Sequence, residues 1–264
     1  MNKEIELSKQ QKDEDKFLIA KILDKIKFSN NRNRIECSEF LDLRQQSLVR
    51  EALEIRKLDS YNLVGGYDDA ERKIWITFPY NINFDINNVI NQFLCVIEVN
   101  LPNELKMQYE HRNYLGALMK LGIKREKIGD ILVRNDGADI IVKKDIAEYI
   151  MSNISLLTRF QKSKIKIKEI EKLTYIKKEK ELVKINVPSM RLDCIVGELA
   201  KCSRADSLNL LNEERVFVNF KEEIRPSKLI VEGDYITIRG KGRFKVNKVL
   251  GNTKSGRINL EIEK

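Results

Sequence analysis

The chain has 264 residues, 42% hydrophobic and 34% charged, with a net charge of +9, which allows two or three domains of ordinary size and excludes wholesale disorder. Its four cysteines, Cys37, Cys95, Cys194 and Cys202, form no C-x-x-C pair, which argues against zinc and disulfide frameworks and for reduced thiols. With no apolar core at the N-terminus and no run of about 18 apolar residues, neither a signal peptide nor a membrane span is expected, and the protein reads as cytoplasmic with no membrane partner.

In chain order, residues 13–26 read as a helix, because Phe17, Leu18, Ala20, Ile22, Leu23 and Ile26 form an apolar stripe at helical spacing. A second helix begins near Arg44 and carries Leu48, Val49, Ala52, Leu53 and Ile55. Residues 61–67 and 73–78 read as a hairpin that Pro79 ends, so residues 1–85 are expected to form an N-terminal α+β domain. Residues 93–100 follow as a strand, closed by Pro102. Residues 111–122 form a short amphipathic helix on Leu115, Leu118, Met119 and Leu121, stopped by Gly122. Strands at 130–133 and 140–142 flank the turn Asn-Asp-Gly-Ala-Asp, a strong hairpin signal. A helix at 146–154 and an alternating strand at 164–169 with one basic face complete the segment. The order β-α-β-β-α-β over 86–170 is that of a ferredoxin-like (RRM-like) domain. The aromatic signature with which RNA-recognition modules stack bases is absent, so RNA binding through an exposed aromatic sheet is not expected.

Charge is unevenly placed. Residues 159–264 hold 25 Lys and Arg against 15 Asp and Glu, whereas the first 158 hold 24 against 25. A basic surface confined to one part of a chain faces a polyanion, nucleic acid foremost. Residues 171–187 are expected to be a basic linker, bounded by Pro188, and 188–264 a third domain. There Leu192, Ile195, Val196 and Leu199 share one helical face, and Ser203 opens a second helix with Asp206 completing an S-x-x-D cap. Leu208 and Leu211 continue the inner face. Residues 216–218 form a strand, Pro226 a turn, and Glu232-Gly233-Asp234 a tight turn before 235–239. Arg191 stands at the start of the first helix and Lys201 near its end. Arg204 lies in the first turn of the second, where free N–H groups and the helix dipole favour phosphate; Arg215 and Lys221 flank the strand. Such a cluster suits an RNA backbone. Residues 188–245 hold 11 basic against 9 acidic side chains, so the reading rests on pattern, not bulk charge.

Residues 189–245 resemble the αL RNA-binding motif, a module of a primary small-subunit ribosomal protein, many pseudouridine synthases and bacterial tyrosyl-tRNA synthetases. Arg191-Leu192-Asp193, Ser203-Arg204-Ala205, Val216-Phe217-Val218-Asn219, Pro226-Ser227 and Gly233-Asp234 carry the match. Glu214-Arg215 stands where a Gly usually precedes the first strand, and Asn219-Phe220-Lys221 where Asn-Gly-Lys usually follows it. Together with residues 111–133, residues 238–244 and the domain order, these features make the chain similar to the YlmH family. The resemblance implies association with the large ribosomal subunit in ribosome-associated quality control. The αL motif would contact rRNA and peptidyl-tRNA while a rescue factor extends the stalled nascent chain. RNA contacts are expected at Arg191, Lys201, Ser203, Arg204, Arg215, Asn219 and Lys221, with Lys228, Arg239, Lys241 and Arg243 near the edge. His111, Arg112, Asn113, Lys124 and Arg125 make a second candidate patch. A monomer without cofactor or metal is expected. Because the family is encoded near cell-division genes, a cell-division-linked interaction protein carrying an RNA-binding module is the alternative.

Catalytic readings are weaker. His111 is the sole histidine and fits a helix start or an RNA contact better than a general base. Pseudouridine synthases place a catalytic Asp in an Arg-Leu-Asp context, but in a large domain after the motif; here only about 20 residues follow. Asp193 therefore reads as a helix-start residue that bonds backbone or an arginine. The glycines at 65–66 and at 240 and 242 extend to no phosphate-loop pattern. The expectation is an α+β binding protein and not an enzyme.

Overall fold

The fold is described from a computed structural model for residues 2–79, 85–173, 175, 181–253 and 255–264, with side chains from residue 13 onward. It divides into two compact units, Met1–Ile176 and Lys177–Lys264.

The first unit runs α1 (Asn2–Arg32), β1 (Glu36–Leu41), α2 (Leu43–Glu54), β2 (Tyr61–Val64), β3 (Lys73–Thr77), α3 (Ile86–Phe93), β4 (Leu94–Asn100), α4 (His111–Lys120), β5 (Ile128–Arg134), β6 (Gly137–Lys143), α5 (Ala147–Ile154) and β7 (Lys164–Lys168). The anticipated helices and hairpins are present. Strand β1 and helix α3 were not anticipated, since Glu-Cys-Ser-Glu and the Asn-rich 86–93 segment have weak propensity for either structure. Asp42 and Gln45 close a reciprocal capping box at the start of α2, which sets its entry after β1.

Two antiparallel sheets form, in the orders β1-β3-β2 and β5-β6-β4-β7. Strand alternation then dictates the layers. Trp75 of β3 packs with Ile22, Leu41, Val49 and Leu53 beneath α1 and α2. Its neighbours Ile74 and Ile76 point the other way, onto Leu94, Val96 and Ile141 of the second sheet. On the far side of that sheet, Cys95, Ile97, Val99, Ile140 and Val142 pack under Tyr114 and Leu118 of α4 and Ile150 and Ile154 of α5. The layers are thus helices, sheet, sheet, helices. Central strands covered on both faces read as near-continuous apolar runs, as in Leu-Cys-Val-Ile-Glu-Val and Ala-Asp-Ile-Ile-Val. The Asp130 carboxylate ties the layers together, accepting from the Tyr67 hydroxyl at 2.8 Å and the backbone N–H groups of Glu71 and Arg72 at 2.7 and 3.1 Å.

The second unit runs β8 (Leu182–Val187), α6 (Leu192–Ala200), α7 (Arg204–Asn212), β9 (Val216–Val218), β10 (Lys221–Glu222), β11 (Tyr235–Ile238), β12 (Gly242–Asn252) and β13 (Ile258–Glu263). One antiparallel sheet has the order β10-β9-β11-β12-β13-β8, and α6 and α7 cover one face through Leu192, Ile195, Val196 and Leu211. Residues 182–187, expected as the end of a basic linker, are instead the edge strand paired along β13. Lys184 and Asn186 on its open face concealed an alternation that buries Val187 and half-buries Val183 and Ile185.

Gly137 sits where β6 passes closest to β4. A Cβ there would lie 1.8 Å from the Val99 carbonyl oxygen, inside any contact distance. Gly137→Ala is therefore expected to lower the unfolding free energy by about 3 kcal/mol through overpacking and lost pairing, measured by urea denaturation. A loss below about 0.5 kcal/mol would show that this register does not bind the two strands as tightly as the close approach requires.

Candidate nucleic-acid interface

In the C-terminal unit three of the expected cations, Arg191, Lys201 and Arg204, lie around one buried carboxylate. Asp193 occupies the first turn of α6 with its side chain wholly buried. The Arg191 guanidinium donates to both of its oxygens at 3.0 Å, and Arg204 approaches one at 3.4 Å. The Arg191 hydrogen bonds and charge hold the Asp193 carboxyl below the usual carboxylate range, against the opposing effect of burial. Two guanidinium groups facing one carboxylate keep a net positive charge, and 74% of the Arg204 side chain stays exposed. The expected arginine partner for Asp193 is thus present twice over.

Local structure explains why these groups converge. Ser203 caps α7, accepting from the Asp206 N–H at 3.1 Å and donating to the Asp206 carboxylate at 2.7 Å, which places Arg204 at the first helical position. Lys201 ends α6 in the left-handed region (φ 52°), turning the chain sharply toward Ser203. The start of α6 is itself closed: the Leu192 and Asp193 N–H groups donate to the Lys228 and Pro226 carbonyls. Here Lys228 contributes its backbone, and the free donors of a helix N-terminus are spent at α6. A depression of about 510 Å³ lies among Asp193, Gly197, Lys201, Ser203, Arg204 and Arg257. Arg257 was missed because it lies beyond the motif. The β12–β13 connection returns it beside α6, where it pairs with Glu198 at 2.7 Å.

Other expected contacts fall elsewhere. On the sheet face opposite the helices, Arg239 lies over the Phe217 ring at 4.8 Å, Arg243 over Phe220 at 5.5 Å and Lys245 over Tyr235 at 5.6 Å. A ring face holds a cation at the surface without neutralising its charge. Lys245 and the three aromatic residues were not anticipated. Val-Phe-Val and Tyr-Ile-Thr-Ile read as core strands until the sheet shows which alternate residues face out. Arg215 pairs with Glu213 at 3.3 Å and donates to the Arg239 carbonyl. Lys221 lies on the short edge strand β10. Lys241, in the β11–β12 turn, is near enough to Cys202 for its charge to favour the thiolate, although burial dominates and raises that thiol's pKa. Asn219 is committed internally: it donates to Asp234 at 2.7 Å and accepts from the Tyr235 N–H at 2.9 Å. It shapes the turn and has both ends of its side-chain amide in use. The two positions that depart from the motif's glycines keep a glycine-like backbone, with Glu214 at φ 57° and Phe220 at φ 66°, at a cost of about 1 kcal/mol each.

The second patch divides. His111, Arg112 and Asn113 open α4, whereas Lys124 and Arg125 lie past its far end, about 15 Å along the axis. Arg125 turns inward and donates to the Ile128 and Gly129 carbonyls at 2.6 and 3.1 Å; burial and then the adjacent Arg72 charge lower its pKa to about 10. It braces the β5 start, which removes it from the patch. Arg112 is exposed and pairs with Glu110 at 3.0 Å.

The chain is similar to known proteins over most of its length. Residues 91–174 match the family model described as "Putative RNA-binding domain in YlmH". The chain is 31% identical over 255 residues to the ribosome-associated protein quality control protein P2 of Bacillus subtilis (strain 168), covering 96% of each. Among solved structures, the cell division protein ylmH from Streptococcus pneumoniae is 18% identical with a TM-score of 0.49, covering 61% of this chain and 95% of its own.

Asp193 supplies an acid-sensitive lock. Its folded pKa is depressed, so its contribution is complete above the ordinary carboxylate pKa of about 3.9 and is lost as pH falls through the lower folded value. Asp193→Asn should lower the thermal midpoint at neutral pH. The gap from the parent should then narrow below about pH 4, followed by circular dichroism across acid pH. A gap independent of pH would contradict the ion-pair account.

Proposed function

This chain belongs to the YlmH family, and from that premise we propose that it is a cytoplasmic RNA-binding factor of translation. It associates with the large ribosomal subunit and with peptidyl-tRNA during quality control of stalled nascent chains, and it acts by binding, without catalysing a reaction. The name of the Bacillus subtilis relative supports the ribosomal setting, and the family model over 91–174 supports RNA as the ligand. A rescue factor that extends the nascent chain is the protein partner this reading implies.

One observation carries the reading: a single buried carboxylate draws Arg191 and Arg204 together, and Arg204 shares a depression with Lys201 and Arg257. Guanidinium groups already fixed by folding lose less entropy on meeting phosphate than free ones, and their planar forks suit the phosphate oxygens of a folded RNA. The aromatic-backed cations Arg239, Arg243 and Lys245 add a second positive face to the same module. Contacts of this kind position a protein on an RNA surface through the backbone, so shape decides the site.

Replacing Lys201 and Arg204 together by Ala leaves the Arg191–Asp193 pair in place. The double variant should reduce co-sedimentation with purified large subunits at least about tenfold near physiological salt and lower the salt slope of log K by about 2. Wild-type co-sedimentation with an unchanged slope would refute this interface.

A further inference from the structure

In the first unit a groove combines cations, an apolar wall and empty space without a lining carboxylate. It has a volume of about 660 Å³ and runs between the outer side of α4 and the turn after α5. Arg112, Gly116 and Lys120 line it at successive four-residue steps along α4, and Leu156, Thr158 and Arg159 form the opposite wall. The lining includes no carboxylate; Glu110 pairs with Arg112 at the groove's end. That pair is exposed on both sides, a setting in which ion pairs contribute little.

Three details indicate a built site. Tyr109 donates its hydroxyl to the Arg159 carbonyl at 2.8 Å, and the Arg159 guanidinium lies over the Tyr109 ring at 5.7 Å, so this wall and its charge are fixed to the helix entry. Leu156 is 70% exposed at the rim, an apolar surface open to solvent. Gly116 sits mid-helix, where glycine costs about 1 kcal/mol relative to alanine. A Cβ there would nonetheless meet nothing within 4 Å, so packing does not require the glycine. What its missing side chain provides is room between two cations spaced by about 12 Å of helix rise.

We infer that this groove binds a short unpaired stretch of RNA, with Arg112, Lys120 and Arg159 on successive phosphates and a base laid against Leu156. The choice of RNA rests on the functional reading above and on the location of the groove, all of whose lining residues fall within the segment 91–174. The central strands β4 and β6 are covered on both faces, by the N-terminal sheet and by α4 and α5, while the edge strand β7 exposes Lys164 and Lys166. Unlike those lysines, the groove offers an apolar wall and space beside its cations. A duplex keeps its bases stacked inside and would leave Leu156 unused; an unpaired nucleotide can turn its base onto an apolar side chain.

The test uses the full-length chain carrying Lys201→Ala and Arg204→Ala, so that the C-terminal rim contributes little, and a fluorescein-labelled uridine decamer followed by anisotropy. In that background the decamer should still bind, and adding Lys120→Ala with Arg159→Ala should weaken binding at least fivefold. Gly116→Leu should weaken it comparably while leaving the thermal midpoint unchanged or raised, because the side chain fills the groove without disturbing the helix. No decamer binding in the background chain, or binding that neither groove change weakens, would overturn the proposal. So would displacement of the RNA by a glutamate decamer peptide at equal concentration, which would make the groove an acidic-peptide site. Large-subunit co-sedimentation of the Lys201→Ala, Arg204→Ala chain reports separately on the C-terminal interface, so either reading can fail alone.

Discussion

A carboxylate buried at the first turn of a helix cannot stand without counter-charge, because removing an ion from water costs far more than the packing around it returns. Asp193 is in that position, and its demand is met by Arg191 from before the helix and by Arg204 from the next one. The arrangement of the C-terminal surface follows from this. The α6–α7 turn must bring Arg204 back to α6, which the left-handed Lys201 and the Ser203 cap accomplish. Loop 226–228 must close over the helix start, which it does with two carbonyls. The positive rim is thus a by-product of satisfying one negative charge inside the fold.

The first unit obeys a different constraint. Its two sheets face each other, and each carries helices on its outer side. With the central strands of both sheets enclosed, helix flanks, connecting turns and the exposed lysines of edge strand β7 present the binding groups. The groove beside α4 carries Arg112, Lys120 and Arg159, whereas Arg72 and Arg125, equally cationic, are consumed by backbone carbonyls where β5 begins. The same residue type serves as a brace or as a binding group according to whether water or carbonyl oxygen surrounds it.

Glu214 and Phe220 show how far a turn can be maintained after its preferred residue is gone. Both keep positive φ, and the surroundings compensate. Asn219 bridges Asp234 and the Tyr235 backbone across the turn, and the Phe220 ring packs on Tyr235 with centroids 5.4 Å apart. The aromatic replacement for glycine also gives Arg243 a ring to lie on, so the strained turn forms part of the cationic outer face.

Sequence alone determined the elements whose signal is local. These are the helices with apolar stripes, the Asp-Gly hairpin, the Ser203 cap, the β-α-β-β-α-β order and the assignment of Asp193 to an arginine. Each depends on residues within a few positions of one another, so periodicity and capping chemistry suffice. Tertiary structure decided what depends on distant chain segments meeting. Strand β8 became legible only as the neighbour of β13, Arg257 joined the rim because a hairpin returns it, and Phe217 and Tyr235 became surface residues only once the sheet had two distinct faces. Arg125 left the binding surface for the same reason. A side chain's role follows from the dielectric and the partners around it, and those are set by contacts between residues far apart in sequence.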